Sequence, residues 1–186
     1  MSYEERTTHQ ERVYAGRILN LRRDQVLLPD GRPTTREVVE HPGGVSILAL
    51  EEDGTVLLVR QYRYPYQQEL LEIPAGKREP GEDPEACGRR ELEEETGRVA
   101  DQFTLLATLY PTPAYCTEVI YVYLATGLHK TRQHLDEGEF LSVVGMPLEE
   151  AVSLAVEGKL PDAKTQIALL KYDALRRRNQ LPERGA

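Results

Sequence analysis

A chain of 186 residues is long enough to bury one sizeable core, and its formal net charge of -8 disfavours an electrostatic hold on nucleic acid, so no nucleic-acid partner is expected. With 40% hydrophobic and 29% charged residues it reads as globular. No stretch approaches the roughly 18 to 20 continuous apolar residues of a membrane span, and the polar start Met1 to Arg12 lacks the apolar core of a signal peptide, so no membrane partner is expected and the cytoplasm is the expected compartment.

In chain order, two short alternating stretches come first, Arg12 to Leu19 and Asp24 to Leu28, followed by a Pro29-Asp30-Gly31-Arg32 turn signal. They predict an N-terminal antiparallel β ribbon. Val45 to Leu50 and Thr55 to Tyr62 are apolar runs rich in β-branched residues on either side of the turn Glu52-Asp53-Gly54, and predict core strands of one sheet. Glu69 to Pro74 is a further strand, leading into Ala75-Gly76 and a polar loop that ends near Glu82.

Asp83 suits an N-cap, Pro84 suits the first helical position, and Glu82 and Glu85 complement the positive end of the helix dipole. With Gly97 as terminator, these signals predict a helix from Pro84 to Thr96. Strands are predicted over Phe103 to Tyr110, Glu118 to Thr126 and Leu141 to Pro147, and helices over Leu148 to Glu157 and Asp162 to Arg178. Strands and helices are mixed without regular βαβ alternation, which predicts an α+β fold, a mixed sheet covered by helices. Cys87 and Cys116 have neither the number nor the spacing of a disulfide framework or zinc site, and His9, His41, His129 and His134 lack metal-ligand spacing.

Glu91, Glu94 and Glu95 stand at i, i+3 and i+4 on the predicted helix, so their carboxylates share one face. Like charges so placed repel, and a bound divalent cation would remove the repulsion. A solvated Glu-rich face is the bland alternative. Oxygen-only ligands point to Mg²⁺, with Mn²⁺ as the substitute. Arg90 forms an i, i+4 pair with Glu94, and Glu82 sits just before the N-cap, within reach of an arginine on the helix start.

The segment Gly76-Lys77-Arg78-Glu79-Pro80-Gly81-Glu82, continuing through Arg90-Glu91-Leu92-Glu93-Glu94-Glu95-Thr96-Gly97, resembles the signature loop-helix-loop of Nudix hydrolases. Its fixed positions all match through Gly97; the one departure is Arg98, where that pattern has an aliphatic residue. The resemblance implies a Nudix fold, a mixed β-sheet sandwiched between α-helices, and metal-assisted hydrolysis of a nucleoside diphosphate linked to a second moiety. It implies Glu91, Glu94, Glu95 and the Ala75 carbonyl as metal ligands, Arg90 in the catalytic set and Glu82 in support. For the general base it implies a glutamate on a downstream loop, here Glu137, with Glu139 as second choice.

The stretch from Leu109 to Glu118, with Pro113 sixteen residues after Gly97, is similar to the ADP-ribose pyrophosphatase branch of that family. So are Val59-Arg60-Gln61-Tyr62-Arg63 and Arg36-Glu37. The resemblance implies substrate contacts from Arg36, Arg60, Arg63, Pro113, Tyr115 and Glu118, and a homodimer in which residues 1–42 form a swapped ribbon beside a hydrolase domain at 43–180. The implied reaction is Mg²⁺-dependent hydrolysis of ADP-ribose to AMP and ribose 5-phosphate. ADP-glucose, another ADP-sugar, NADH or FAD are alternative substrates, and a nucleotide-sugar-binding module without catalysis is the alternative of another class.

Overall fold

The computed structural model describes residues 2–181. The chain divides into two compact units, one formed by residues up to Gly43 with Tyr110–Val119, the other by Gly44–Leu109 with the chain from Ile120 onward.

In the first unit, β1 (Arg6–Ala15), β2 (Asn20–Leu27) and β3 (Pro33–Glu40) form an antiparallel sheet in that order. The expected ribbon is therefore three-stranded. The expected stretch from Arg12 to Leu19 is cut after Ala15 by a turn in which Gly16 N–H donates to Leu19 O at 3.0 Å. The third strand begins at Pro33, whose missing N–H is tolerated at a strand's first residue. All ten residues of β1 are exposed, so side-chain burial does not hold it. Its ladder to β2 and ion pairs such as Arg12–Glu40 and Arg23–Glu11 do. The proline-rich loop joins β3: Val39 N–H donates to Tyr115 O at 2.7 Å, and Thr117 N–H donates to Val39 O at 2.9 Å.

In the second unit, β4 (Gly44–Leu50), β5 (Thr55–Arg63), β8 (Arg98–Leu109), β9 (Ile120–Lys130) and β10 (Leu141–Pro147) lie in the order β10-β5-β4-β9-β8. The short strands β6 (Gln68–Glu72) and β7 (Ala75–Lys77) pair with β5 and β4. Among the described strands of this sheet only the β4–β9 pairing is parallel, so the sheet is mixed. Central β4 is apolar almost throughout because both its faces are covered. Val45, Ile47 and Ala49 pack with Cys87 and Leu92 of α1 (Pro84–Thr96). Leu48 belongs to the other core, with Ala151 and Val152 of α2 (Leu148–Val156) and Ala168 and Leu169 of α3 (Ala163–Arg177). The sheet is sandwiched between helices as expected. No helix among the described residues is long and apolar enough to cross a membrane.

Helix α1 has the expected span. Asp83 accepts hydrogen bonds from Glu85 N and Ala86 N, both at 3.0 Å, and Gly97 closes the helix at φ 61° with its N–H on Glu93 O at 2.8 Å. That left-handed conformation favours glycine, and a Cβ there would press on Gln133 N at 2.8 Å. Strand β8 starts directly after it, five residues before the expected Phe103. The unexpected Arg98 makes that exit ionic: its Nε pairs with Glu51 Oε1 at 2.9 Å, and its NH1 reaches Gly97 O at 3.2 Å.

Candidate active site

The acidic face of α1 is organised around Arg90. Its NH1 donates to Glu91 Oε1 at 2.9 Å and Glu94 Oε2 at 2.8 Å, while its Nε donates to Glu82 Oε1 at 3.1 Å. The hydrogen bond from Arg90 holds the Glu82 carboxyl down at about 2, and Glu82 Oε2 also accepts from Glu79 N at 2.9 Å. Arg78 closes the same loop, donating from NH2 to Glu82 O at 2.5 Å. The residues before the helix are thus folded onto it by charge-assisted hydrogen bonds.

Two carboxylates press against β7. Glu95, only 2% exposed, accepts from Ala75 N at 2.9 Å. The Glu91 carboxylate lies against Gly76, where any Cβ would overlap it. Burial, helped by the charge of Glu139 and opposed in part by Arg90 and the Ala75 N–H, pushes Glu91 up to about 7 and Glu95 up to about 8. This pocket is short of positive charge.

A hard divalent cation fits that deficit, because every side-chain donor is oxygen and the missing side chain at Gly76 makes room for the Glu91 carboxylate. Among the described residues no three acidic, histidine or cysteine side chains are grouped so as to hold a metal ion by themselves. Glu91 and Glu94 bond to Arg90, and Glu95 bonds to backbone. A hard divalent ion held here would take a few carboxylates and complete its shell with water and phosphate oxygens.

The downstream acidic loop is tied to the end of α1. Thr131 N–H donates to Gly97 O at 2.9 Å, Gln133 Nε2 to Glu95 O at 2.5 Å and His134 N–H to Glu94 O at 3.1 Å, so the loop satisfies carbonyls that a helix end leaves free. It then turns at Asp136, whose carbonyl accepts from Glu139 N at 3.0 Å. Glu139 is half-buried and its charge is felt by Glu91 and Glu95; Glu137 is exposed on the turn.

These shifts give a pH expectation. Glu91 and Glu95 hold a proton more tightly in the fold, at about 7 and about 8, than an unfolded glutamate near 4.5 does. The metal-free fold then binds more protons than the unfolded chain, so it loses stability as pH rises from about 5 through about 8. A divalent ion binds the ionised pair and opposes the loss. Melting curves with EDTA and with Mg²⁺ should therefore show a Mg²⁺-induced rise in Tm that grows across this window. An equal rise at both ends would contradict the assignment.

The remaining expected residues fall in both units. Arg63 grips the buried Glu72 by two hydrogen bonds, from Nε at 2.7 Å and from NH2 at 2.8 Å. Arg60 is exposed, with Glu69 as its acidic neighbour at 4.0 Å. In the N-terminal unit, Arg36 pairs with Glu5 at 2.6 Å and shares with Tyr115 the lining of an open cavity of about 440 Å³. Pro113 is exposed in the same unit, and Glu118 lies 3.3 Å from His41 Nδ1.

Sequence reasoning missed Glu72, Lys164 and Asp162. Burial alone would push the Glu72 carboxyl up; the Arg63 hydrogen bonds and the Lys164 charge outweigh it and hold the group at about 2. The available signal was a charge inside the apolar run Leu70-Leu71-Glu72-Ile73.

Residues 40–169 match the NUDIX domain, and residues 5–39 match the nucleoside diphosphate sugar hydrolase N-terminal domain. The chain is 40% identical over 170 residues to the ADP-ribose pyrophosphatase of Bacillus subtilis (strain 168), covering 90% of this chain and 92% of that protein. It is 40% identical over 169 residues to the methanol dehydrogenase activator of Bacillus methanolicus, covering 90% and 91%. A solved ADP compounds hydrolase superposes with a TM-score of 0.84 over 97% of this chain and 100% of that one, at 23% identity, a likeness of fold. With the NUDIX domain spanning most of its length, the chain belongs to the Nudix family.

Proposed function

We propose that the protein is a Mg²⁺-dependent ADP-ribose pyrophosphatase that hydrolyses the diphosphate to AMP and ribose 5-phosphate. The observation that carries this reading is the carboxylate pair of half-buried Glu91 and buried Glu95, seated against Gly76 and Ala75, where Arg90 on Glu91 and the Ala75 N–H on Glu95 offset their charge only in part. The relative named for ADP-ribose, identical at 40% of aligned positions, supplies the substrate.

When bound, the cation neutralises the diphosphate oxygens and makes a water more acidic. Glu91 and Glu95 would hold it, with Glu94 and the Ala75 carbonyl completing the protein's share. Arg90 orients Glu91 and Glu94, and Glu82 fixes Arg90. Arg63 would meet the phosphates, while Arg36, Arg60, Pro113, Tyr115 and Glu118 are proposed for the rest of the substrate. The protein would act in the cytoplasm as a homodimer built through residues 1–42, a role that suits the full exposure of β1, with residues 43–180 as the hydrolase domain.

Glu139 is the better candidate for the base, because it is half-buried where Glu137 is exposed and its charge acts on Glu91 and Glu95. Glu139→Gln is expected to lower kcat by about 10²- to 10⁴-fold with the Mg²⁺ half-saturation unchanged, and Glu137→Gln to change it by less than about threefold. The reverse order would return the role to Glu137, and a shifted Mg²⁺ half-saturation would make Glu139 a ligand.

Comparing kcat/KM for ADP-ribose, ADP-glucose, NADH, FAD and a nucleoside triphosphate tests the substrate. ADP-ribose should lead; preference for another diphosphate would keep the metal site and overturn the pocket, and tight binding without turnover would favour a binding module.

A further inference from the structure

Beside the carboxylates of α1 lies a second charge cluster that the proposed reaction leaves unexplained. Glu72, at the end of β6, is 1% exposed. Its Oε1 accepts from Arg63 Nε at 2.7 Å, and its Oε2 accepts from both Arg63 NH2 at 2.8 Å and Lys164 Nζ at 2.5 Å. Lys164 also donates to Asp162 Oδ1 at 2.7 Å. The other Asp162 oxygen accepts from Thr165 N at 2.9 Å and Thr165 Oγ1 at 2.5 Å, and that hydroxyl accepts from Ile73 N at 2.9 Å. Two cations and two carboxylates thus balance in charge and stitch the start of α3 to the segment that enters β7.

The cluster has one loose edge. Both hydrogen bonds to Glu72 use the Nε–NH2 side of Arg63, and among the described residues its NH1 donates to nothing. The Arg63 side chain keeps 37% exposure, and its charge is felt by Glu95. A buried carboxylate shared by two cations holds a guanidinium in one orientation at small entropic cost.

We propose that Lys164 is a positioning residue: through Glu72 it fixes the Arg63 guanidinium so that the NH1 edge is presented to an anionic phosphate oxygen of the substrate. This rests on the diphosphate reading for its purpose, though its geometry does not. Lys164 itself never touches substrate, and Asp162 serves by keeping the Lys164 ammonium on Glu72. Helix α3 thereby acts on the site from 92 residues away along the chain.

The test combines a spectroscopic arm with a kinetic one. In the ¹⁵N-labelled wild-type protein the Arg63 Nε–H resonance, assigned by its loss in Arg63→Lys, should be shifted downfield and slow to exchange with water. Lys164→Met should move it toward the free-arginine position and speed its exchange. For ADP-ribose with Mg²⁺, Lys164→Met should lower kcat/KM by about 10- to 100-fold, mostly through KM, the scale of one charge-assisted hydrogen bond. Lys164→Arg should recover part of that loss. In an Arg63→Ala background the further loss on Lys164→Met should be less than about threefold, because the residue it positions is gone.

Lys164→Met leaves Glu72 with one partner fewer, so the pair Glu72→Gln with Lys164→Met, which removes one charge of each sign, is the companion variant that should stay folded. It should also release the Arg63 resonance. An unchanged Arg63 resonance in both variants, or a loss on Lys164→Met as large without Arg63 as with it, would overturn the proposal. The resonance is read without turnover, so failure of the diphosphate reading leaves this arm to decide.

Discussion

Glu95→Gln is expected to lower turnover by about three orders of magnitude while leaving the metal-free protein more stable at alkaline pH. A metal ion contributes several kcal/mol of charge stabilisation in a phosphoryl-transfer transition state, and about 1.4 kcal/mol is tenfold in rate, so losing a principal ligand charge has that scale. The amide keeps the volume, and its oxygen can still accept from Ala75 N. Burial pushes the Glu95 carboxyl up to about 8, so above that pH the wild-type fold carries a buried charge that glutamine lacks. Kinetics across a Mg²⁺ titration, with EDTA melts above about pH 8, check both halves. Retained activity at unchanged Mg²⁺ dependence would remove Glu95 from the ligand set, and a large fall in Tm would make it structural.

Gly76→Ala should be nearly as severe for activity and mild for stability. A Cβ at this position overlaps the Glu91 carboxylate, the far end of a flexible side chain that can swing aside while the β4–β7 pairing stays. The cost falls on the metal site, because Glu91 can no longer lie against β7. The expected result is at least about a hundredfold loss in kcat/KM at moderate Mg²⁺, partly recovered at high Mg²⁺, with Tm in EDTA changed by only a few degrees. Full activity would show that the close approach of Glu91 to the backbone is dispensable.

How much of this was legible depended on whether the signal was local. Helix α1 was found to the residue because Asp83, Pro84 and Gly97 act through bonds within one turn. Strand β3 was missed because Thr34-Thr35-Arg36-Glu37-Val38-Val39 has no clean alternation; its ladder to β2 holds it in the sheet. The early start of β8 and late end of β9 likewise follow from their mutual ladder, which pairs Arg98 with Lys130 and Gln102 with Thr126 across polar residues.

At the site, helical spacing put Glu91, Glu94 and Glu95 on one face, and Glu82 proved to be bonded to Arg90. The different exposure of Glu137 and Glu139 was beyond sequence, since the two are separated by Gly138 at φ 84° and only the turn decides which of them is partly covered. The Glu72–Lys164 pair was hidden for a different reason: its members are 92 residues apart, and only the packing of α3 brings them together.

The most direct test of the central claim is the release of AMP from ADP-ribose by protein stripped with EDTA, before and after Mg²⁺ is restored. No release is expected without metal, full release with it, and almost none from Glu95→Gln under either condition. Release that persists in EDTA, or that survives in Glu95→Gln with Mg²⁺, would show that the carboxylates of α1 do not hold the ion that cleaves the diphosphate.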